Sequence, residues 1–329
     1  QGNPLADGTN LTVPAGVTLM IDAGATLRMA AANVEVGSSS ELVSRAGAAL
    51  QVLGTTEKPV AFSSTLNDPE TAPGSQAGQS RTPQGGDWGG LVLRADSDWQ
   101  PATQASLAHD TLRPVLNSIS NAVISHAGGQ VVVDAELQSF AAIQIEDTRP
   151  TVAFSTVTYS AGAAVSATPN SFEESNGRVG PEFRGNTLLA NSTNGVFIAI
   201  ATEFGSPLDK LDVSARFAST EVTYVLQESL VIAGGSGSYY EDENGDIRAR
   251  ASGRLQIDPG VVVKLQGSRI ELERGASQLI AEGVGNDRVI FTSLGDNRFG
   301  AGGDFDTNGN LPNKFNEEAA WTPNGTVTT

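Results

Sequence analysis

The residues best placed to do chemistry lie near the C-terminal end of the chain. In Asp304-Phe305-Asp306-Thr307-Asn308-Gly309-Asn310 side-chain oxygens stand at alternate positions and a glycine at the sixth. That is the first half of a calcium loop, in which hard oxygen donors converge on one cation. The twelfth position, where such a loop wants a bidentate glutamate, holds Phe315, and Glu317 or Glu318 is the nearest substitute. The expected Ca²⁺ ligands are therefore Asp304, Asp306, Asn308, Asn310 and Glu317; the competing reading is a Gly/Asn/Asp-rich turn. Asp242, Asn244 and Asp246 alternate in the same way, but Asn244-Gly245 is what a type I′ hairpin turn requires, and a hairpin tip explains them.

Two acidic groups could serve sugar chemistry, Glu146-Asp147-Thr148-Arg149 and Glu173-Glu174 with Arg178. Glycoside hydrolysis needs two carboxyls held apart on a rigid wall. Uronate cleavage would add Lys or Arg beside them, and Lys58, Lys210, Lys264 and Lys314 are the only lysines. Solvated corners account for the same acids without catalysis. His109 and His126, the only histidines, are too scattered for a Ser-His-Asp grouping, and no metalloenzyme spacing occurs. Trp88, Trp99 and the pair Tyr239-Tyr240 could stack on sugars or pin loops to a wall.

The elements that must carry these residues are short. In 255–293 the apolar residues alternate (Leu255, Ile257; Val261, Val263, Leu265; Ile270, Leu272), and each run is cut by Pro259-Gly260, Gly267, Gly275 or Gly283. Alternation marks extended strands with one buried face, and the breaks mark tight corners. The design recurs at 11–29 and 47–64. Gly16-Val17 matches Gly260-Val261 and Phe62-Ser63-Ser64 matches Phe291-Thr292-Ser293. The first copy holds an insertion that itself alternates (Val34, Val36), as a solenoid tolerates. Strands of a few residues with corners at intervals of roughly 20 residues predict an all-β fold, a right-handed parallel β-helix with long loop excursions. Residues 1–254 read as a first block with excursions at 65–86, 95–117 and 168–182 and a hairpin at 236–250. Residues 255–329 read as a second, incomplete copy continuous with it. Val13, Val17, Leu19, Val261, Val263, Leu265 and Phe291 are the expected core.

The run Pro259-Gly260-Val261, Ala281-Glu282-Gly283, Ile290-Phe291-Thr292-Ser293 and Gly300 through Gly309 resembles the right-handed parallel β-helix repeats of very large bacterial secreted or cell-surface proteins, those of planctomycetes above all. In that family a WGG element follows the strand, as Asp87-Trp88-Gly89-Gly90 does in the first copy; in the second, Trp321 is followed by Thr-Pro-Asn. The resemblance implies an extracellular or cell-surface module, whereas β-helices as a class host adhesins, lyases and inert stalks alike.

Composition narrows the classes. A net charge of −17 repels phosphate and makes nucleic acid an unlikely partner. No run of 18 apolar residues spans a bilayer. Cys is absent, so stability must come from repetitive burial. Gln1 opens the chain directly before a strand, as expected for a processed product or a slice of something longer. The expected function is a non-catalytic structural or adhesive module, with polymerisation into filaments or layers as its natural variant. Its expected partners are other copies of itself, neighbouring repeats of a longer chain, or polysaccharide and cell-surface glycans. The alternative is a polysaccharide-degrading lyase or glycosidase.

Overall fold

The computed structural model describes residues 10–38, 43–67, 82–98, 117–133, 136–175, 178–200, 208–235, 239–241, 247–249, 252–296 and 298–301. The fold is all-β and its large sheets are parallel. One sheet of nine strands runs through all of it: Leu11–Val13, Val34–Val36, Leu91–Arg94, Ile143–Glu146, Ala163–Ala167, Thr193–Ile198, Thr223–Leu226, Val262–Leu265 and Ile290–Ser293. Each strand pairs in parallel with the next.

Between successive strands of this long sheet the chain visits two further faces. In the first five passes the second face is the five-stranded sheet Thr18–Asp22, Ala49–Leu53, Ser118–Ser120, Thr151–Ala153 and Glu182–Arg184. The third is Thr26–Met29, Val60–Ser64, Ala122–Ser125, Thr156–Thr158 and Thr187–Leu189. Both sheets stop there. After Thr193–Ile198 the faces are rebuilt from other pairs, Leu230–Ile232 with Ile270–Leu272, and Ser214–Phe217 with Arg254–Ile257 and Gln278–Ala281. Among the described residues only the long sheet crosses this break.

Register explains the core. The column Leu11, Val34, Leu91, Ile143, Val165, Val196, Tyr224, Val263, Phe291 runs through paired positions of the long sheet and faces inward. Its interior members are buried, as both faces of a parallel sheet usually are. Val13, Val261 and Val263 are buried as expected, and Leu19 and Leu265 pack against the core. Val17 and Phe291 do not follow: they are 44% and 45% exposed. Val17 precedes the terminal strand of the second face and Phe291 sits in the terminal strand of the long sheet, so among the described residues no strand stacks on their outer side.

The corners are built from left-handed residues in columns. Asn121 and Phe154 have φ of 49° and 51°, and Gly185 follows at 60°. His126, Tyr159 and Ala190 form a second column at 61°, 57° and 57°. Asn186 and Asn191 stand next to these columns without a left-handed φ of their own. Instead their amides bond the preceding pass: Asn186 accepts from Ser155 N–H and donates to Val152 O, and Asn191 accepts from Ser160 N–H and donates to Val157 O. Such amide ladders satisfy corner groups that no strand pairing reaches.

The alternating valines at 131–133 belong to no rung of the parallel sheets. They lie in an antiparallel hairpin, Gln130–Val133 with Glu136–Ser139. It lies over the outer face of the long sheet, where Val131 and Phe140 bury Val92. Strands Tyr239–Glu241 and Ile247–Ala249 also pair antiparallel. Trp88 is fully buried, donates Nε1–H to Ser125 O at 2.9 Å and packs at 6.5 Å from Phe62. The glycine after it is demanded by close approach, since a Cβ on Gly89 would lie 1.7 Å from Asn33 Oδ1.

Candidate functional site

A concavity opens where the second and third faces stop. It holds about 650 Å³ and is lined by Thr151, residues 178–183, Arg216, residues 218–221 and Tyr224. The segment at 168–182 builds one wall. Thr168 ends the pass, Pro169–Phe172 forms a 3₁₀ turn, and Glu174–Ser175 pairs antiparallel with Arg178–Val179. Ser214–Phe217 and the turn after it build the opposite wall, and Glu173 bridges to Ala215 antiparallel.

An aromatic cluster lies in the core beneath the cleft, and its Tyr224 contributes to the lining. Phe217 stacks on Tyr224 at 4.2 Å, and Phe172 meets both edge-on at 4.9 and 5.6 Å. These rings fill the interior where regular strand stacking fails. Tyr224 is buried, which pushes its phenol pKa up, and its oxygen accepts from Ser219 N–H at 3.1 Å. It is a structural group, neutral at any physiological pH.

The charged side chains that line the cleft, Arg178, Glu182, Arg216 and Glu221, are engaged with groups around it. Arg216 donates Nε–H to both oxygens of Asp258 at 2.8 and 3.0 Å, and Nη1–H to Glu174 at 3.3 Å. The Asp258 hydrogen bond chiefly raises the Arg216 pKa. Arg254 holds the other Glu174 oxygen at 3.1 Å. Glu182 pairs with Arg184, Glu221 accepts from Gly185 N–H, and Arg178 donates to Arg149 O. Two carboxylates and two guanidinium groups thus face one cleft.

The acids expected from sequence are dispersed. Glu174 belongs to the Arg216 network rather than pairing with Arg178, and Arg149 Nη1 donates to the Glu173 carbonyl at 3.5 Å. Asp147 bonds Thr168 Oγ1 at 2.6 Å across a corner, and burial raises its pKa. Glu146 faces away from the cleft, on the outer side of the long sheet, where Arg94 bridges it to Glu35. Burial raises the Glu146 pKa against the pull of Arg94. Burial also works against the charge of Arg94, but Glu146 and Glu35 outweigh it.

His126 stacks on Tyr159 at 5.4 Å in a corner column, and burial lowers its pKa. Asp304, Asp306, Asn308, Asn310 and Glu317 lie outside the described residues, as do His109, Trp99 and the turn 242–246. Among the described residues no group of three or more Asp, Glu or His is placed to hold a metal. Glu182, Arg216, Glu221 and Asp258 were not singled out from the sequence. Their one sequence signal is a charged residue at an outward strand position or turn, which most surface residues share. No described helix is long and apolar enough to cross a membrane. No protein-family model, no curated protein and no solved structure matches this chain.

Proposed function

We propose that the protein is a non-catalytic structural or adhesive module of a large bacterial surface protein, built as a right-handed parallel β-helix with its loops as the variable surface. One observation carries this reading: the two carboxylates that line the cleft, Glu182 and Glu221, and the two bound to its Arg216, Glu174 and Asp258, are all held by structural partners. Glu182 is paired with Arg184, and Glu221 caps a backbone N–H. Glu174 and Asp258 are both bound to Arg216. An acid–base pair needs one carboxyl free to give a proton and another free to receive it. Three features support the parallel β-helix: the fixed order in which the chain visits three faces, the parallel pairing, and the residue columns at the corners. The open terminal strands support stacking against neighbouring repeats or other copies.

Two further parts of the reading concern the surroundings. The loop carrying Asp304, Asp306, Asn308, Asn310 and Glu317 takes Ca²⁺ at the millimolar levels found outside cells. The module acts outside the cell or at its surface, with glycans among its partners.

A polysaccharide-degrading enzyme is the second reading. What favours it is the coincidence of two carboxylates and two arginines in one cleft. The test is incubation with a panel of neutral and uronate polysaccharides, following reducing ends and unsaturated uronate absorbance. No product is expected; turnover of any substrate overturns the proposal.

A further inference from the structure

We infer that the cleft at the break is a binding site for a neutral, hydroxyl-rich ligand, a short oligosaccharide; this rests on the reading of the protein as an adhesive module. The argument begins with what the cleft rejects. Glu182–Arg184 is the last strand of its sheet, and an exposed strand edge normally invites another strand. Glu182 N–H donates to Pro150 O and Arg184 O accepts from Phe154 N–H, so both residues turn their backbone groups toward the preceding strand. By alternation Pro181, Phe183 and Gly185 face the other way, toward the cleft. Pro181 has no N–H, and the Gly185 N–H is already taken by Glu221. Phe183 alone keeps a donor and an acceptor on that side. A continuous ladder with an added peptide strand cannot form on one residue.

What remains suits a small polar molecule. A volume of about 650 Å³ lies in the usual range of small-ligand sites. Apolar surface from the half-buried Val179 and the exposed Ala218 adjoins the hydroxyl-bearing Ser219 and Thr220 and the planar guanidinium groups of Arg178 and Arg216. Paired hydroxyls on a sugar ring match planar carboxylate and guanidinium groups, while its C–H faces match the apolar wall. The two arginines and the two glutamates of the lining cancel in charge, and the chain as a whole carries −17. A polyanion meets no net attraction there and a repulsive field outside. An uncharged sugar meets neither obstacle.

The experiment titrates the intact chain with cellohexaose, maltohexaose and mannohexaose, and separately with hexagalacturonate, by calorimetry. Ala218→Trp fills the cleft from an exposed position, and Arg178→Ala removes one planar group. At least one neutral hexaose should bind, and Ala218→Trp should weaken it by about tenfold or more, about 1.4 kcal/mol, with an unchanged melting temperature. Should Arg178→Ala fold poorly, Ala218→Trp still decides the matter. Absence of binding by all three neutral sugars, equal binding by Ala218→Trp, or binding of hexagalacturonate alone overturns the inference and leaves the module reading standing. Cleavage of a bound sugar would overturn the module reading instead and keep the site.

Discussion

The carboxylate of Glu221 accepts a hydrogen bond from the backbone N–H of Gly185, the corner residue at which the second and third faces end. Where the next pass would have placed another corner, a side chain from the turn before Thr223–Leu226 takes its place. Hydrogen bonds to a charged acceptor contribute more than neutral ones. Glu221→Ala should therefore lower stability by about 1–2 kcal/mol in urea denaturation, and Glu221→Gln, which keeps an acceptor, by less. Equal stability of the two variants would remove the cap from the account.

Phe62 and Phe291 occupy matching sequence positions but opposite packing. Phe62 is fully buried beside Trp88, while Phe291 is half-exposed in the last strand. Phe62→Ala should cost about 3–5 kcal/mol, the usual range for a buried aromatic. Phe291→Ala should cost well under half of that. Similar losses at both sites would mean that Phe291 is covered in solution.

Val263 lies in the inward column between Tyr224 and Phe291 and is fully buried. Val263→Asp would force an unpaired carboxylate into this interior and should cost about 3 kcal/mol or more. A variant that melts like the parent would refute the inward register of the long sheet.

Burial raises the pKa of Glu146 above the ordinary 4.5 of a free glutamate. Its contribution to stability is thus fully present below the unfolded value and is lost as pH rises through the folded one. Glu146→Gln removes that loss. Melting temperatures of the parent should fall behind those of the variant as pH goes from 4 to 7; a gap independent of pH would contradict the assignment.

For the calcium loop, calorimetric titration of the parent against the double variant Asp304→Ala/Asp306→Ala is decisive. Binding with a dissociation constant of about 10⁻⁴ to 10⁻³ M, lost in the variant, is expected. Equal uptake by both, or none at millimolar calcium, would make the motif an ordinary turn.

The all-β, parallel character was legible because each strand carries its own signal: two or three alternating apolar residues and a glycine or proline corner. The placement of the strands was not. Thr18–Asp22 and Val262–Leu265 match in sequence, yet one lies in the second face and the other in the long sheet. Val60–Ser64 and Ile290–Ser293 are divided in the same way between the third face and the long sheet. A short alternating strand with glycine corners fits any face, so local pattern cannot say which. The hairpin at Gln130–Ser139 escaped notice for the same reason, since its valines alternate as a rung's would. The cleft was hidden because it is made by an interruption. Arg216 meets Asp258 and Glu174 across 42 residues of sequence in each direction, and no spacing rule links them.

The break has a mechanical side. A rod is as stiff as its least braced cross-section, and among the described residues two of the three walls are discontinuous between Thr187–Leu189 and Ser214–Phe217. At that level the long sheet is joined by only two residue pairs, Val196 with Tyr224 and Phe197 with Val225, against four at the next junction. Tension applied along the stack would concentrate on those two pairs, and bending would pivot there. Stretched from its ends, the molecule should yield first between Ile198 and Thr223, parting into two strand blocks before either unravels.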